Sequence, residues 1–213
     1  MREPTRVKIC GITNEEDAAA AIDAGADALG FNLYPGSKRC VHIEDVARWL
    51  PTLRGGAIRV AVMVNPTLDE VRRVQTVFDA IQLHGAESEA LCAAAASTGR
   101  IWKAFPLTKE LDGDAMALFE AEALVIDSAV PGAFGGTGKP NDLALAARLV
   151  AAYTARPIWL SGGLSPGNVA QALFRVHPYG VDVASGVEAP GNSRRKDASR
   201  MRAFIEAAKG AGA

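Results

Sequence analysis

The sequence predicts an α/β fold, a single-domain (β/α)8 TIM barrel that takes in residues 1–213. Eight short apolar runs recur along the chain, and a segment with helical periodicity follows each of them. Dividing 213 residues by eight gives about 27 per unit, close to the roughly 30 residues of one βα repeat. No Gly/Ser-rich linker divides the chain. A doubly wound open sheet also alternates strands with helices, but eight regular units favour the closed barrel.

The predicted strands are short, often β-branched and bounded by Gly, Pro or Asn, which is typical of buried parallel strands. In a barrel of this kind the chemistry lies on the loops that follow the strands, so the carboxyl ends of the strands hold the candidate site. The eight runs are residues 7–12, 28–33, 59–64, 80–83, 100–105, 124–127, 157–161 and 180–185.

The segments between these runs carry helical signals. Apolar residues fall at i, i+3, i+4 and i+7 in residues 43–50 and again in residues 201–208. The pattern T-x-x-E at residues 13–16 and 67–70 predicts two capping boxes. Ser165 before Pro166 predicts the start of a further helix.

Charge and composition exclude several classes of protein. The chain has 23 basic and 24 acidic side chains and a pI near 6.3, which argues against a general binder of nucleic acid or membrane surfaces. The longest stretch without Asp, Glu, Lys or Arg, residues 157–174, contains three Gly and two Pro, so it is not a membrane span. The N-terminal residues lack a long apolar core, so we expect no signal peptide.

Three cysteines, Cys10, Cys40 and Cys92, are widely spaced and form no C-x-x-C motif. This pattern argues against a disulfide framework and against a zinc site. Free cysteines are typical of a reducing compartment, so we expect a cytoplasmic location.

The first strand ends with a candidate nucleophile or base. Side chains alternate in a strand, so Lys8 and Cys10 share one face and Val7 and Ile9 the other. The two aliphatic residues belong against the helices, which places Lys8 and Cys10 inside the barrel. A buried Cys is most often a small hydrophobic residue. Here a nearby cation is expected to lower the pKa of Cys10 and favour the thiolate.

The sixth strand ends with Asp127, which is costly at the end of an apolar strand unless it is paired or functional. An Asp before a Ser is also common as a cap or turn residue. The Gly-rich segment 131–139 superficially resembles a P-loop, but Ala133 replaces its first Gly and Pro140 its Ser/Thr. We therefore expect no nucleotide site.

Strands seven and eight end in glycine: Gly162 and Gly163 follow Ser161, and Gly186 follows Ser185. After each, the sequence predicts a helical segment. Backbone amides at such ends can bind phosphate, and these two loops are the recurring phosphate site of this fold. The alternative is that the glycines serve only tight turns.

Three other groups of polar residues have a less specific pattern. Arg39 follows strand two and could bind a carboxylate through both arms of its guanidinium, although loop charges are usually solvated. Gln82 and His84 end strand four, where a lone His is more often structural than catalytic. The basic run 194–196 is most simply interpreted as solvated. The three histidines form no H-x-x-x-H pair.

Taken together, the strand ends resemble one family, phosphoribosylanthranilate isomerase of tryptophan biosynthesis. The resemblance runs from about residue 7 to residue 205, and three motifs in this order make it specific. These are Lys8-Ile9-Cys10-Gly11-Ile12-Thr13, Gln82-Leu83-His84-Gly85 and Ser185-Gly186-Val187-Glu188.

The resemblance implies an aldose–ketose isomerase that carries out an Amadori rearrangement without metal or cofactor. By the family pattern Cys10 is the general base, Asp127 the general acid, and Arg39 the contact to the anthranilate carboxylate. Gly162, Gly163, Ser185 and Gly186 match its phosphate site. We also assign Gln82, His84 and Asp182 to substrate binding. The expected partner is a small phosphorylated substrate, with no nucleic acid or membrane, and the protein is expected to be a monomer or a homodimer.

Residue parity adds one expectation about strand eight. Val181 and Val183 belong on the helix side, so Asp182 points inward beside strand one. We predict that Asp182 pairs with Lys8 or reaches a substrate hydroxyl.

The chain departs from the family pattern in three places. Asn141 and Leu143 stand where aromatic residues are usual, and Cys40 stands where Tyr is common. The segment 190–197 is longer than the family's usual short turn. These departures concern the packing of loops more than the chemistry.

Three rival functions remain open from the sequence. The related barrel isomerase of histidine biosynthesis carries out the same rearrangement but uses Asp where Cys10 stands. A non-catalytic sensor of a phosphorylated ligand would not require both Cys10 and Asp127. A scaffold role has no positive support in the sequence.

Overall fold

The computed structural model describes residues 4–128 and 142–211. Eight parallel strands close into a barrel in chain order, and β8 pairs with β1. The strands are β1 Arg6–Cys10, β2 Ala28–Asn32, β3 Ile58–Met63, β4 Ala80–Leu83, β5 Ile101–Leu107, β6 Ala123–Ser128, β7 Ile158–Leu160 and β8 Gly180–Val183. The predicted barrel is therefore confirmed, and the open sheet is excluded by the β1–β8 pairing.

Helices cover the outside of the barrel. They are α1 Glu15–Asp23, α2 Ile43–Trp49, α3 Leu68–Gln75, α4 Glu89–Ala96, α5 Gly113–Ala117, α6 Leu143–Ala152, α7 Val169–Val176 and α8 Ala198–Gly210. After β8 the chain makes a single 3-10 turn, Ser185–Val187, and then an antiparallel hairpin, β9 Glu188–Ala189 and β10 Asn192–Lys196. No helix in the described ranges has the length and apolar character needed to cross a membrane.

Two of the predicted helix starts are wrong. Asn14, not Thr13, caps α1 by accepting a hydrogen bond from the Asp17 amide, while the Thr13 hydroxyl bonds the carbonyl of Arg194. Helix α7 begins at Val169 rather than after Ser165, because residues 166–168 form a turn. The capping box at residues 67–70 is confirmed in both directions.

Two apolar layers account for the stability of the barrel. The larger layer lies between strands and helices and contains the outward residues of each strand, such as Val7 and Ile9. The smaller layer fills the barrel interior with Ala and Val around two indoles, Trp102 and Trp159, whose rings stack at 4.9 Å. Both Trp residues lie near the amino ends of their strands, so they close that end of the barrel and leave the other end for polar side chains.

At the amino-terminal end of the barrel, the same kind of ion pair links neighbouring strands three times among the described residues. In each case an Arg at or just before the start of an odd-numbered strand contacts an acid just before the next strand. In the first two pairs the acid also accepts a hydrogen bond from a backbone amide of the odd-numbered strand, that of Val7 or Arg59. The pairs are Arg6–Asp27 at 3.1 Å, Arg59–Asp79 at 2.8 Å and Arg100–Glu122 at 2.6 Å.

Candidate functional site

One pocket at the carboxyl ends of the strands gathers the side chains that the sequence predicted. Its walls come from β1, β2, β3, β4, β6, β7 and β8, so residues far apart in sequence meet there. The pocket is lined by Cys10, Gly11, Asn32, Ser37, Arg39, Val62, Gln82, His84, Asp127, Ser161, Asp182 and Ala184. All six predicted catalytic and substrate-binding residues are in this set. The Gly-rich segment 131–139 lies outside the described residues.

Lys8 and Asp182 form a buried ion pair at the pocket, which Asp182 lines. Lys8 Nζ lies 2.9 Å from Asp182 Oδ2, and the two residues are directly opposite in the β1–β8 register. Lys8 has no exposed side-chain surface. The predicted pairing and the inward face of Lys8 and Asp182 are confirmed.

The pKa of Cys10 depends on burial as well as on the charges around the thiol. Burial raises the pKa of the Cys10 thiol above its ordinary value, and the Asp182 carboxylate raises it further. Lys8, Lys196 and Arg39 act in the opposite direction but do not outweigh burial. Lys8 therefore lowers the pKa of Cys10, as predicted, but burial outweighs this effect and the pKa of the thiol is raised on balance.

Asp127 is held at the end of β6 by two contacts. Its Oδ1 accepts a hydrogen bond from the Ser128 amide at 2.8 Å, and its Oδ2 lies 3.4 Å from His84 Nε2. On the other side of the imidazole ring, His84 Nδ1 lies 2.8 Å from Gln82 Nε2. Gln82, His84 and Asp127 thus form a chain of polar contacts across the pocket, and Asp127 is 4% exposed.

His84 also depends on a buried ion pair that the sequence did not reveal. Lys103 of β5 contacts Glu87 at 2.8 Å and donates to the carbonyl of Gly85 at 2.9 Å. Glu87 in turn accepts from the amides of Asn65 and Gly85. This network fixes the loop after β4. The sequence offered one indication of this pair: Lys103 lies two residues after Ile101, on the same face of β5 as an apolar side chain.

The glycines after β7 and β8 bring two loops together. Gly162 and Gly163 have positive φ angles of 96° and 63°, which favour glycine. A Cβ atom on Gly186 would lie 2.0 Å from the carbonyl oxygen of Leu164, so the two loops touch backbone to backbone. The predicted phosphate residues directly follow pocket-lining Ser161 and Ala184. The helical segment expected after β8 is only the 3-10 turn that Ser185 begins, since the hairpin follows it.

Arg39 is buried rather than solvated, and it already has one acidic partner. Its Nε lies 2.5 Å from Glu188 Oε1, while its Nη2 is buried without a hydrogen-bond partner among the described residues. Arg39 is 6% exposed. Arg39 thus lines the pocket with Nη2 unused as a donor among the described residues.

Lys196 is buried, so the interpretation of the basic run 194–196 as solvated is wrong at this residue. Its side chain is buried, and Nζ donates to the Ala184 carbonyl at 2.9 Å and lies 3.7 Å from Glu188. Burial lowers the pKa of Lys196 to about 8, although Glu188 and Cys10 act to raise it. The other two residues of the run, Arg194 and Arg195, are exposed as expected. The hairpin folds Lys196 inward, which adjacent charges in the sequence could not indicate.

Comparison with known proteins assigns the family. The model of the N-(5′-phosphoribosyl)anthranilate (PRA) isomerase family matches residues 7–207. The N-(5′-phosphoribosyl)anthranilate isomerase of Chromohalobacter salexigens is 43% identical over 204 residues, which are 94% of this chain and 92% of the relative.

Solved structures agree with this assignment. The phosphoribosyl anthranilate isomerase of Thermus thermophilus superposes with a TM-score of 0.85 at 36% identity, covering 95% of this chain and 98% of that chain. Another phosphoribosyl anthranilate isomerase, in complex with reduced 1-(o-carboxyphenylamino)-1-deoxyribulose 5-phosphate, superposes with a TM-score of 0.81 at 34% identity, covering 97% and 99% of the two chains. The chain therefore belongs to the N-(5′-phosphoribosyl)anthranilate isomerase family.

Proposed function

We propose that this isomerase converts N-(5′-phosphoribosyl)anthranilate to 1-(2-carboxyphenylamino)-1-deoxyribulose 5-phosphate, with Asp127 as general acid and Cys10 as general base. One observation carries the assignment of roles: the Cys10 thiol and the Asp127 carboxyl line the same pocket, beside the unused donors of Arg39. The solved relative with a reduced form of this product supports the substrate class.

Two anionic ends of the substrate would fix its position. The glycine-edged loops after β7 and β8 are proposed to bind the phosphate through backbone amides of Gly162, Gly163, Ser185 and Gly186. Arg39 is proposed to bind the aryl carboxylate through its free guanidinium donors. Because β6 and β1 flank β7 and β8 in the barrel, acid and base then stand on either side of the phosphate site.

The acid step opens the ribose ring. The Asp127 carboxyl gives a proton to the ring oxygen as the C1′–oxygen bond breaks, and the anilino nitrogen supplies electrons to form an iminium ion. His84, 3.4 Å from Asp127 Oδ2 and itself held by Gln82, keeps the carboxyl in place and is a candidate contact for the freed hydroxyl.

The base step removes the C2′ proton, which the iminium group has acidified. Cys10 takes this proton as the thiolate, the form that burial disfavours but that the charges of Lys8, Lys196 and Arg39 favour. The electron pair of the C2′–hydrogen bond moves to give an enolamine. The enolamine then gains a proton at C1′ and loses one from the C2′ hydroxyl, which yields the ketone. Binding energy from the phosphate and the carboxylate orients C1′ and C2′ between Asp127 and Cys10 throughout.

The function is tested by following the fluorescence of the anthranilate group in purified protein supplied with the substrate. We expect loss of substrate with formation of one ketose phosphate product, and competition by the reduced product analogue. Absence of turnover, with the protein folded, would overturn the proposal. A separate incubation with the phosphoribosyl amine substrate of the histidine-pathway isomerase, which carries no anthranilate group and is followed by chromatography of its product, tests the rival function. We expect no turnover of that substrate.

A further inference from the structure

The side chain of Arg39 crosses three strand ends. It starts in the loop after β2, passes over Gly11 at the end of β1 and reaches Glu188 beyond β8. A Cβ on Gly11 would lie 2.4 Å from Arg39 Cδ, and Gly11 has a φ of 75°, so only glycine allows this path. The guanidinium is thereby brought to the residue next to Cys10.

Glu188 fixes which edge of the guanidinium remains free. Because Glu188 Oε1 takes the Nε donor at 2.5 Å, the two Nη atoms are left, and Nη2 is buried with no partner among the described residues. A planar guanidinium that uses Nε for one carboxylate presents its Nη1–Nη2 edge to another. The arrangement holds a donor pair ready for a second carboxylate.

The hairpin β9–β10 holds both partners in place. Arg194 Nη1 bonds the carbonyls of Cys40 at 2.8 Å and Lys38 at 3.4 Å, on either side of Arg39 in the chain. Lys196 Nζ lies 3.7 Å from Glu188 Oε1, and the Lys196 amide donates to Asp17 of α1. The segment 190–197, which is longer than the usual family turn, therefore contacts the backbone on both sides of Arg39 and also contacts its partner Glu188.

We propose that Glu188 is a positioning residue for recognition of the aryl carboxylate, and that the hairpin Glu188–Lys196 secures the Arg39 loop for the same purpose. The proposal rests on the proposed function, since the ligand is the carboxylate of that substrate. Glu188 acts through Arg39 and does not touch the reacting atoms. Its removal lets the guanidinium turn away, so carboxylate binding weakens while the proton transfers are left intact.

The test compares Glu188→Gln with wild-type protein in two measurements. We expect the Kd of the reduced product analogue and the KM for substrate to rise about tenfold, with kcat changed less than threefold, as for loss of one charged hydrogen bond. An analogue without the carboxylate, the corresponding anilino compound, should bind wild-type and Glu188→Gln protein equally. Tighter binding of the carboxylate ligand by Glu188→Gln would overturn the proposal, because it would make Glu188 a competitor for Arg39.

A double-mutant cycle with Arg39→Ala separates positioning from a general structural effect. In the Arg39→Ala background, Glu188→Gln should have no further effect on the Kd of the reduced analogue. Glu16→Gln is the matched control, because Glu16 contacts Arg195 on the exposed side of the same hairpin. If Glu188→Gln fails to fold, Arg194→Ala should show the same carboxylate-specific rise in Kd, and an unchanged Kd there overturns the proposal. Absence of turnover in folded wild-type protein would contradict the proposed function itself, not the positioning role of Glu188.

Discussion

Lys8 and Asp182 join the first and last strands of the barrel through a 2.9 Å ion pair that is almost completely buried. The pair lies beneath Cys10, whose thiol responds to both charges. A buried pair of this kind contributes little net stability while it is intact, but removing one partner leaves an uncompensated charge in the interior.

We therefore expect Asp182→Asn to lower the free energy of unfolding by about 3–5 kcal/mol, because Lys8 is left buried without its partner. The double variant Lys8→Met/Asp182→Leu should recover much of that loss. Urea unfolding followed by Trp fluorescence measures both. An Asp182→Asn variant as stable as wild-type protein would contradict the expected cost of leaving Lys8 buried without its partner.

Asp182 and Lys8 should shift the pKa of the Cys10 thiol in opposite directions. Removing the carboxylate in Asp182→Asn is expected to lower the pKa of Cys10, whereas removing the cation in Lys8→Met should raise it. The rate of alkylation by iodoacetamide as a function of pH reports this pKa. A background of Cys40→Ala and Cys92→Ala removes the other thiols, and shifts of the same sign in both variants would contradict the electrostatic account.

Stability at acid pH should depend on Asp79. Partial burial raises the pKa of Asp79, but hydrogen bonds from Arg59 outweigh it and leave the pKa below its ordinary value of 3.8. A carboxyl whose folded pKa is depressed stabilises the protein above the unfolded pKa, and loses that effect as pH falls through the folded pKa.

Asp79→Asn should thus cost about 1 kcal/mol at pH 7 and progressively less as the pH falls below 4. Urea unfolding at a series of pH values checks this. The exposed pair Asp69–Arg72 provides the control, since Asp69→Asn should change stability by only a few tenths of a kcal/mol. Equal effects of Asp79→Asn at pH 7 and at pH 2 would rule out the predicted linkage.

Lys196 should make stability rise with pH. Its pKa is about 8 in the folded protein and 10.5 ordinarily, so between these values the unfolded chain holds a proton that the folded protein has released. Stability linked to Lys196 is then expected to increase from pH 8 to pH 10.5, by about 3 kcal/mol in total.

The prediction is checked by measuring the free energy of unfolding from pH 8 to pH 10.5 in two proteins, one that keeps Lys196 and one that carries Lys196→Met. The charged or titrating groups around Lys196 are Glu188, Cys10, Arg39 and Asp182, so both proteins should carry Cys10→Ala to remove the thiol that titrates in the same range. A difference between the two proteins that does not vary from pH 8 to pH 10.5 would contradict the buried position of Lys196.

The fold and most of the pocket follow from local rules that a sequence displays. Alternation within β1 places Lys8 and Cys10 inward, and the same parity places Asp182 opposite Lys8. The eight runs were identified because buried parallel strands are short and apolar, although Gly11 with its positive φ ends β1 two residues earlier than predicted.

What the sequence did not reveal depends on contacts between distant segments. Whether Lys196 is solvated or buried depends on how the hairpin packs against α1 and Ala184, and nothing within residues 194–196 encodes that. The pKa of Cys10 likewise depends on the balance between burial and several charges from β1, β8, β10 and the Arg39 loop. Residue type identified the groups, but only their positions determine the sign of the shift.

The turnover of Cys10→Ala and Asp127→Ala tests the central claim most directly. Cys40→Ala and Cys92→Ala serve as matched controls, since neither thiol lines the pocket. Followed by anthranilate fluorescence, kcat is expected to fall by a factor of about 10² to 10⁴ in Cys10→Ala and in Asp127→Ala, and to stay near the wild-type value in both controls. Full turnover by folded Cys10→Ala or Asp127→Ala would contradict the assignment of these two residues as base and acid.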